Sequence, residues 1–149
     1  MPRFNLLILL LFSGALLAGC DRAQEFSAAP TAAPRSWEGI GDYHRCFLKI
    51  NREWRATLRV NCFQLEGQLY THSSRLVPAH EMMTQLLGLG GSWVSVVAED
   101  PDIQLAINGA VHDMTLVRVD DAASRLSILR NRDYDPVPNA IEVYRIRPR

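Results

Sequence analysis

Two alternating segments, each carrying one cysteine, constrain the fold of this 149-residue chain more than any other feature. From Tyr43 to Ile50, the residues Cys46, Leu48 and Ile50 fall on one face of a strand. From Thr57 to Leu65, Leu58, Val60 and Cys62 do the same. A hairpin centred near Trp54 sets Cys46 opposite Cys62 on the buried side of the sheet. The register that buries the apolar residues is therefore the one that permits a disulfide. Two buried free thiols are the alternative, and an oxidising compartment decides for the bridge. A bridge closing so short a loop contributes ~3 kcal/mol on the loop-entropy model. No CxxC pair is present, so neither a redox dithiol nor a zinc ribbon is indicated.

Strand signals continue down the chain. Glu66-Gly67 marks a turn, and Gln68 to Val77 reads as a third strand. Pro78 to Leu87 reads as a short helix opened by proline and closed by Gly88. The glycines through Gly91 form a bend and lack the strand–helix context of a nucleotide loop. Trp93 to Ala98 reads as a strand stopped by Asp100-Pro101. Ile103, Leu105 and Ile107 alternate up to Asn108-Gly109, a strong hairpin signal because both residues tolerate positive φ. Ala110 to Val119 returns as a strand. Asp120 or Asp121 caps a helix running to about Arg130, with Leu126 and Leu129 turned inward. Ile141 to Ile146 closes the series. The expectation is a mainly β domain with two short helices and about seven strands, built as a small antiparallel barrel.

Residues 1–19 read as an export leader. Arg3 supplies the positive start, and an apolar run from Leu6 continues to Ala18, too short for a membrane span. It ends in Leu17-Ala18-Gly19-Cys20, which resembles the bacterial lipobox, where the cysteine sulfur receives a diacylglyceryl group. Residues 20–36 then read as a lipidated Cys20 followed by an Ala/Pro-rich tether, and 37–149 as one folded domain. Export to an oxidising compartment makes the Cys46–Cys62 disulfide the expected state. Asp21 directly after the lipid site resembles an inner-membrane retention signal of enteric bacteria. The expected location is the cell envelope, facing the periplasm, with the membrane as partner through acyl chains contributing ~0.8 kcal/mol per buried methylene.

Charge excludes some partners. Removing residues 1–19 takes Arg3 and no acid, leaving fifteen basic against sixteen acidic residues, a formal charge of −1. No general positive field is available to attract nucleic acid. The histidines, His44, His72, His80 and His112, show no ligand spacing, so no metal is expected. No GxSxG motif supports an acyl-transfer triad, and no catalytic residue is assigned. Asp120-Asp121 suits a helix cap, and the acidic Glu99–Asp102 stretch a solvated turn. Trp37, Trp54 and Trp93 suit core packing or a strand edge.

The densest polar cluster is Tyr70-Thr71-His72-Ser73-Ser74-Arg75, whose hydroxyls and guanidinium suit a phosphate or, equally, an exposed turn. The run resembles the Tyr-Thr-Asn-x-x-Ser-Arg-Lys segment of the pyridoxamine phosphate oxidase family of FMN-binding split β-barrels. The resemblance places Thr71, Ser74 and Arg75 at the flavin phosphate, with Arg55 and Arg59 as further basic contacts. His72 replaces the family's Asn and Leu76 its Lys, and one residue fewer separates Thr from Ser. Trp93 to Gly109, together with Val143 to Ile146, resembles the strand–Asp-Pro–strand and closing-strand pattern of the related deazaflavin-dependent reductases. The resemblance implies a split-barrel fold, FMN or a related flavin as cofactor, and a homodimer. A chain exported unfolded does not carry a noncovalent flavin with it, and Leu76 removes a charge that would meet the phosphate. The leading expectation is thus a non-catalytic binding domain for a ligand or an envelope protein. A periplasm-facing flavin oxidoreductase stands as one alternative. An envelope accessory or inhibitor lipoprotein acting through protein–protein contact at a sheet edge is the other.

Overall fold

The structure is a computed structural model, and it describes residues 25–41, 44–50, 57–73, 92–130 and 141–149. Six antiparallel strands form a closed barrel: β1 (His44–Ile50), β2 (Thr57–Leu65), β3 (Gln68–His72), β4 (Asp102–Ile107), β5 (Ala110–Arg118) and β6 (Val143–Pro148). Helix α1 (Trp93–Glu99) precedes β4, and α2 (Ala122–Arg130) lies between β5 and β6. The order around the barrel is β1-β2-β3-β6-β5-β4, and β4 closes it by pairing with β1. Two three-stranded meanders are thus joined in a Greek key, with β4 returning to lie beside β1.

Alternation sets what lies inside. Cys46, Leu48 and Ile50 of β1 share the interior with Leu69 of β3, Leu105 of β4, Met114 of β5 and Ile146 of β6. Leu48, Leu69 and Leu105 are fully excluded from solvent, and each such side chain contributes roughly 1.5–3 kcal/mol. On the outer face, Phe63 of β2, Tyr70 of β3 and Val143 of β6 form a second apolar cluster with Ile128 and Leu129 of α2. Helix α2 thereby covers the β2–β3–β6 wall.

The hairpin register differs from the expected one by two residues. Cys46 faces Val60 and His44 faces Cys62. A shift of two leaves every side chain on its expected face. The disulfide forms all the same, between diagonal neighbours with Cα atoms 5.9 Å apart, inside the range a disulfide spans. Both cysteines are completely buried.

The stretch Trp93–Glu99 is helix, not strand, and this corrects the strand reading of Trp93 to Ala98. Its valines favour a strand locally, but Val94 and Val97, three apart, are the buried pair. Trp93 meets the Tyr144 ring at 5.4 Å, so the helix seals the barrel end where β4 begins. Tertiary closure here outweighs β-propensity. Among the described residues, six strands stand where about seven were expected. β3 ends at His72 within the described residues, and β6 runs from Val143 to Pro148 rather than from Ile141. The expected helix Pro78–Leu87 and Trp54 lie outside the described residues.

Asp121 is the residue that caps α2: its Oδ2 accepts the Ser124 N–H at 2.7 Å. Leu129 is buried as expected, but Leu126 is exposed, and Ile128 takes the inward place beside Leu129. The inward face runs through Arg125, Ile128 and Leu129, a 3–4 stripe that passes beside Leu126. Bonds from Ser124, its hydroxyl first and then its N–H, hold the Asp121 carboxyl below its ordinary value of 3.8. Because the folded-state value is lowered, the cap is complete above the ordinary value and is lost as pH falls through the lowered one. The Ser124 amide shift in an NMR titration should therefore move with a midpoint below 3.8. Asp121→Ala should abolish that movement, and a midpoint at or above the ordinary value would contradict the cap.

Candidate functional site

Of the five residues that the sequence groups around a flavin phosphate, Thr71 and Arg59 fall among the described residues; Arg55, Ser74 and Arg75 lie outside them, as does the lipid site Cys20. Thr71 shares its face with Leu69 and sits fully buried in the barrel wall. Its hydroxyl donates to the Asn61 carbonyl at 3.0 Å, bridging β3 to β2. Arg59 is exposed on the outer face, opposite Phe47 of β1. The two side chains thus occupy opposite faces of one sheet, and a flavin phosphate would not meet both from a common side. The parity of Thr71 with Leu69 is the sequence signal that places it inside.

The neighbouring Ser73 is buried and bound on both sides. Its N–H donates to the Glu142 carbonyl at 2.8 Å, and its hydroxyl accepts the Glu142 N–H at 2.9 Å. The Glu142 carboxylate accepts from the Tyr144 hydroxyl and pairs with Arg118 at 3.5 Å. These contacts lock the start of β6 to the end of β3. The polar run singled out in the sequence is, as far as it is described, part of the barrel's own hydrogen bonding.

The described surface offers a different concavity, a shallow groove of about 490 Å³ on the outer wall of β1, β4 and β5. Register builds it. Lys49, Gln104 and Asp113 stand in one row across the three strands, and Asp102 with Thr115 forms part of the next row. Gln104 Nε2 donates to Asp113 Oδ1 at 3.3 Å. Thr115 Oγ1 donates to Asp102 Oδ1 at 2.8 Å, and Arg149 Nη1 donates to Asp102 Oδ2 at 3.2 Å. Asp100 completes the lining. The wall therefore presents both charge signs on side chains that are partly pre-ordered by their neighbours. Such a surface supports reversible polar contact, each exposed ion pair contributing about 0–1 kcal/mol.

The barrel interior is lined by packed apolar side chains, and a tryptophan stands at each of its two ends. Trp93 closes the end where β4 begins. Trp37 closes the other: it is 7% exposed and belongs to the interior cluster. Its ring stands edge-on to His112 at 5.7 Å, and its backbone N–H donates to the Gly67 carbonyl at 3.0 Å. Gly67 lies in the β2–β3 turn at φ +73°, and a Cβ there would come within 2.9 Å of Ser36 Oγ. Only glycine combines that backbone conformation with that approach.

No three His, Cys, Asp or Glu residues are grouped to hold a metal ion among the described residues. No helix among them is long and apolar enough to cross a membrane. Comparison with known proteins returns no match to a protein family, to a curated protein or to a solved structure.

Proposed function

We propose that the chain is a lipid-anchored cell-envelope protein, attached at Cys20 and facing the periplasm, whose barrel is a binding module rather than an enzyme. The observation that carries the reading is the Cys46–Cys62 disulfide buried inside the barrel. It matches an oxidising compartment and therefore agrees with an export leader ending in Leu-Ala-Gly-Cys. The packed interior and the polar outer groove favour contact at the surface over chemistry in a cavity. Asp21 favours the inner membrane. The six-stranded Greek key is compatible with descent from a split barrel, and a colourless domain is expected. The accessory-protein reading has little sheet edge to use, because closure gives each strand two neighbours and leaves only short stretches of edge.

Two measurements test this. In a bacterium that modifies lipoproteins, the full chain should incorporate labelled palmitate and enter the detergent phase on partitioning. Cys20→Ala should lose both properties completely, and unlabelled wild-type protein in the aqueous phase would refute the anchor. FMN fluorescence should be unchanged on adding the purified protein. Micromolar quenching would instead establish the flavin reading.

A further inference from the structure

The segment before the barrel is not a free tether up to residue 36. Thr31 donates its N–H to the Val111 carbonyl at 2.7 Å. Its own carbonyl accepts from His112 Nδ1 at 3.0 Å, which places the proton on that nitrogen. The reason lies in the register. Pairing between β5 and β6 begins at Met114 and Pro148, so the stretch Ala110–Asp113 extends past its neighbour with edge groups that β6 does not pair. Thr31 fills the position at Val111, and the Arg149 N–H fills the one at Asp113 at 3.3 Å. Ala33 then packs on the interior cluster, and Trp37 seals the barrel against the Gly67 turn.

We propose that Thr31–Trp37 is a strap that fixes which end of the barrel faces the lipid surface; this rests on the anchoring at Cys20 proposed above. The strap crosses the end formed by the β2–β3 and β4–β5 turns. Eleven peptide steps join Cys20 to Thr31. They span at most ~40 Å when fully extended. A barrel with strands of this length stands roughly 20–25 Å tall along its axis. The reach of the leash is thus at most about twice the barrel height. Turning the opposite end to the bilayer would commit half or more of that reach to running along the wall. The strapped end faces the membrane, and the α1 end faces the periplasm and its partners.

The test uses the full lipidated chain in vesicles of phosphatidylcholine and phosphatidylglycerol bearing an acceptor dye on the headgroups. A donor dye is placed on Gln68→Cys, at the strapped end, or on Ala98→Cys, on α1; both positions are exposed. The Cys46–Cys62 bridge and the acylated Cys20 leave the new thiol as the reactive one. Donor quenching at position 68 should exceed that at 98 by at least about twofold. Inserting about twenty Gly/Ser residues after Ala28 should erase the difference while leaving the strap in place. Thr31→Pro, which removes the N–H donor, should reduce it in a protein that still melts cooperatively. Equal quenching at both positions in a chain that floats with the vesicles overturns the orientation and leaves the anchor standing. A wild-type chain that does not float overturns both.

Discussion

Trp37→Ala should lower the stability of the domain by about 3–5 kcal/mol, the range for emptying a large aromatic site. In thermal unfolding followed by circular dichroism, the midpoint should fall by roughly 10–25 °C for a domain of this size. Three losses combine at this residue. The indole leaves the interior cluster, its edge contact with His112 disappears, and the end of the barrel opens to water. The backbone bond to Gly67 survives the substitution, so the strap keeps one of its attachments. Trp37→Phe should recover more than half of the loss, because a ring still fills the opening. A fall of less than about 1 kcal/mol in Trp37→Ala would mean that the barrel holds together without its plug.

Breaking the Cys46–Cys62 bridge should have an effect of similar size. Replacing both cysteines by alanine removes the covalent restraint on a short loop, worth ~3 kcal/mol in the unfolded chain and typically 2–5 kcal/mol in small secreted domains. The midpoint of urea unfolding should shift down with the slope nearly unchanged. Reductant added to the wild-type protein should reproduce the shift once the chain has unfolded, since both sulfurs are inaccessible in the native barrel. An unaltered midpoint in the double variant would show that the bridge restrains nothing that the β1–β2 pairing does not already restrain.

The interior is legible in the sequence because alternation records it directly. Cys46, Leu48 and Ile50, then Leu58, Val60 and Cys62, and later Ile103, Leu105 and Ile107 each point one way, and each set points into the barrel. Exact register is not legible, since a slip of two preserves every face. Trp93 to Ala98 reads as a strand because its spacing suits both periods, and the deciding influence is an open barrel end that no local pattern reports. In α2 the expected Leu126 yields to Ile128 because the inward face runs through Arg125, Ile128 and Leu129. The strap leaves no trace in the sequence for another reason: it is held by a backbone hydrogen bond at Thr31 and by one tryptophan, neither of which produces periodicity. Of the site, the sequence indicates a polar run at the end of β3, and the described part of it serves the barrel's own bonding. The Lys49–Gln104–Asp113 row has no sequence signal because only strand pairing brings those residues together.

The Greek-key order has a consequence for the birth of the protein. β1 waits for β4, whose partner residues lie more than fifty positions downstream, and β3 waits for β6, more than seventy downstream. The first meander is therefore made with two open edges, able to pair with any passing strand. Contacts so distant along the chain form slowly. The ring closes only when β6 has emerged, since that strand supplies the seam on both of its sides. An early Cys46–Cys62 crosslink would hold the β1–β2 hairpin in a native-like register during that interval, giving the bridge a kinetic task in the newly made chain as well as a thermodynamic one in the finished barrel.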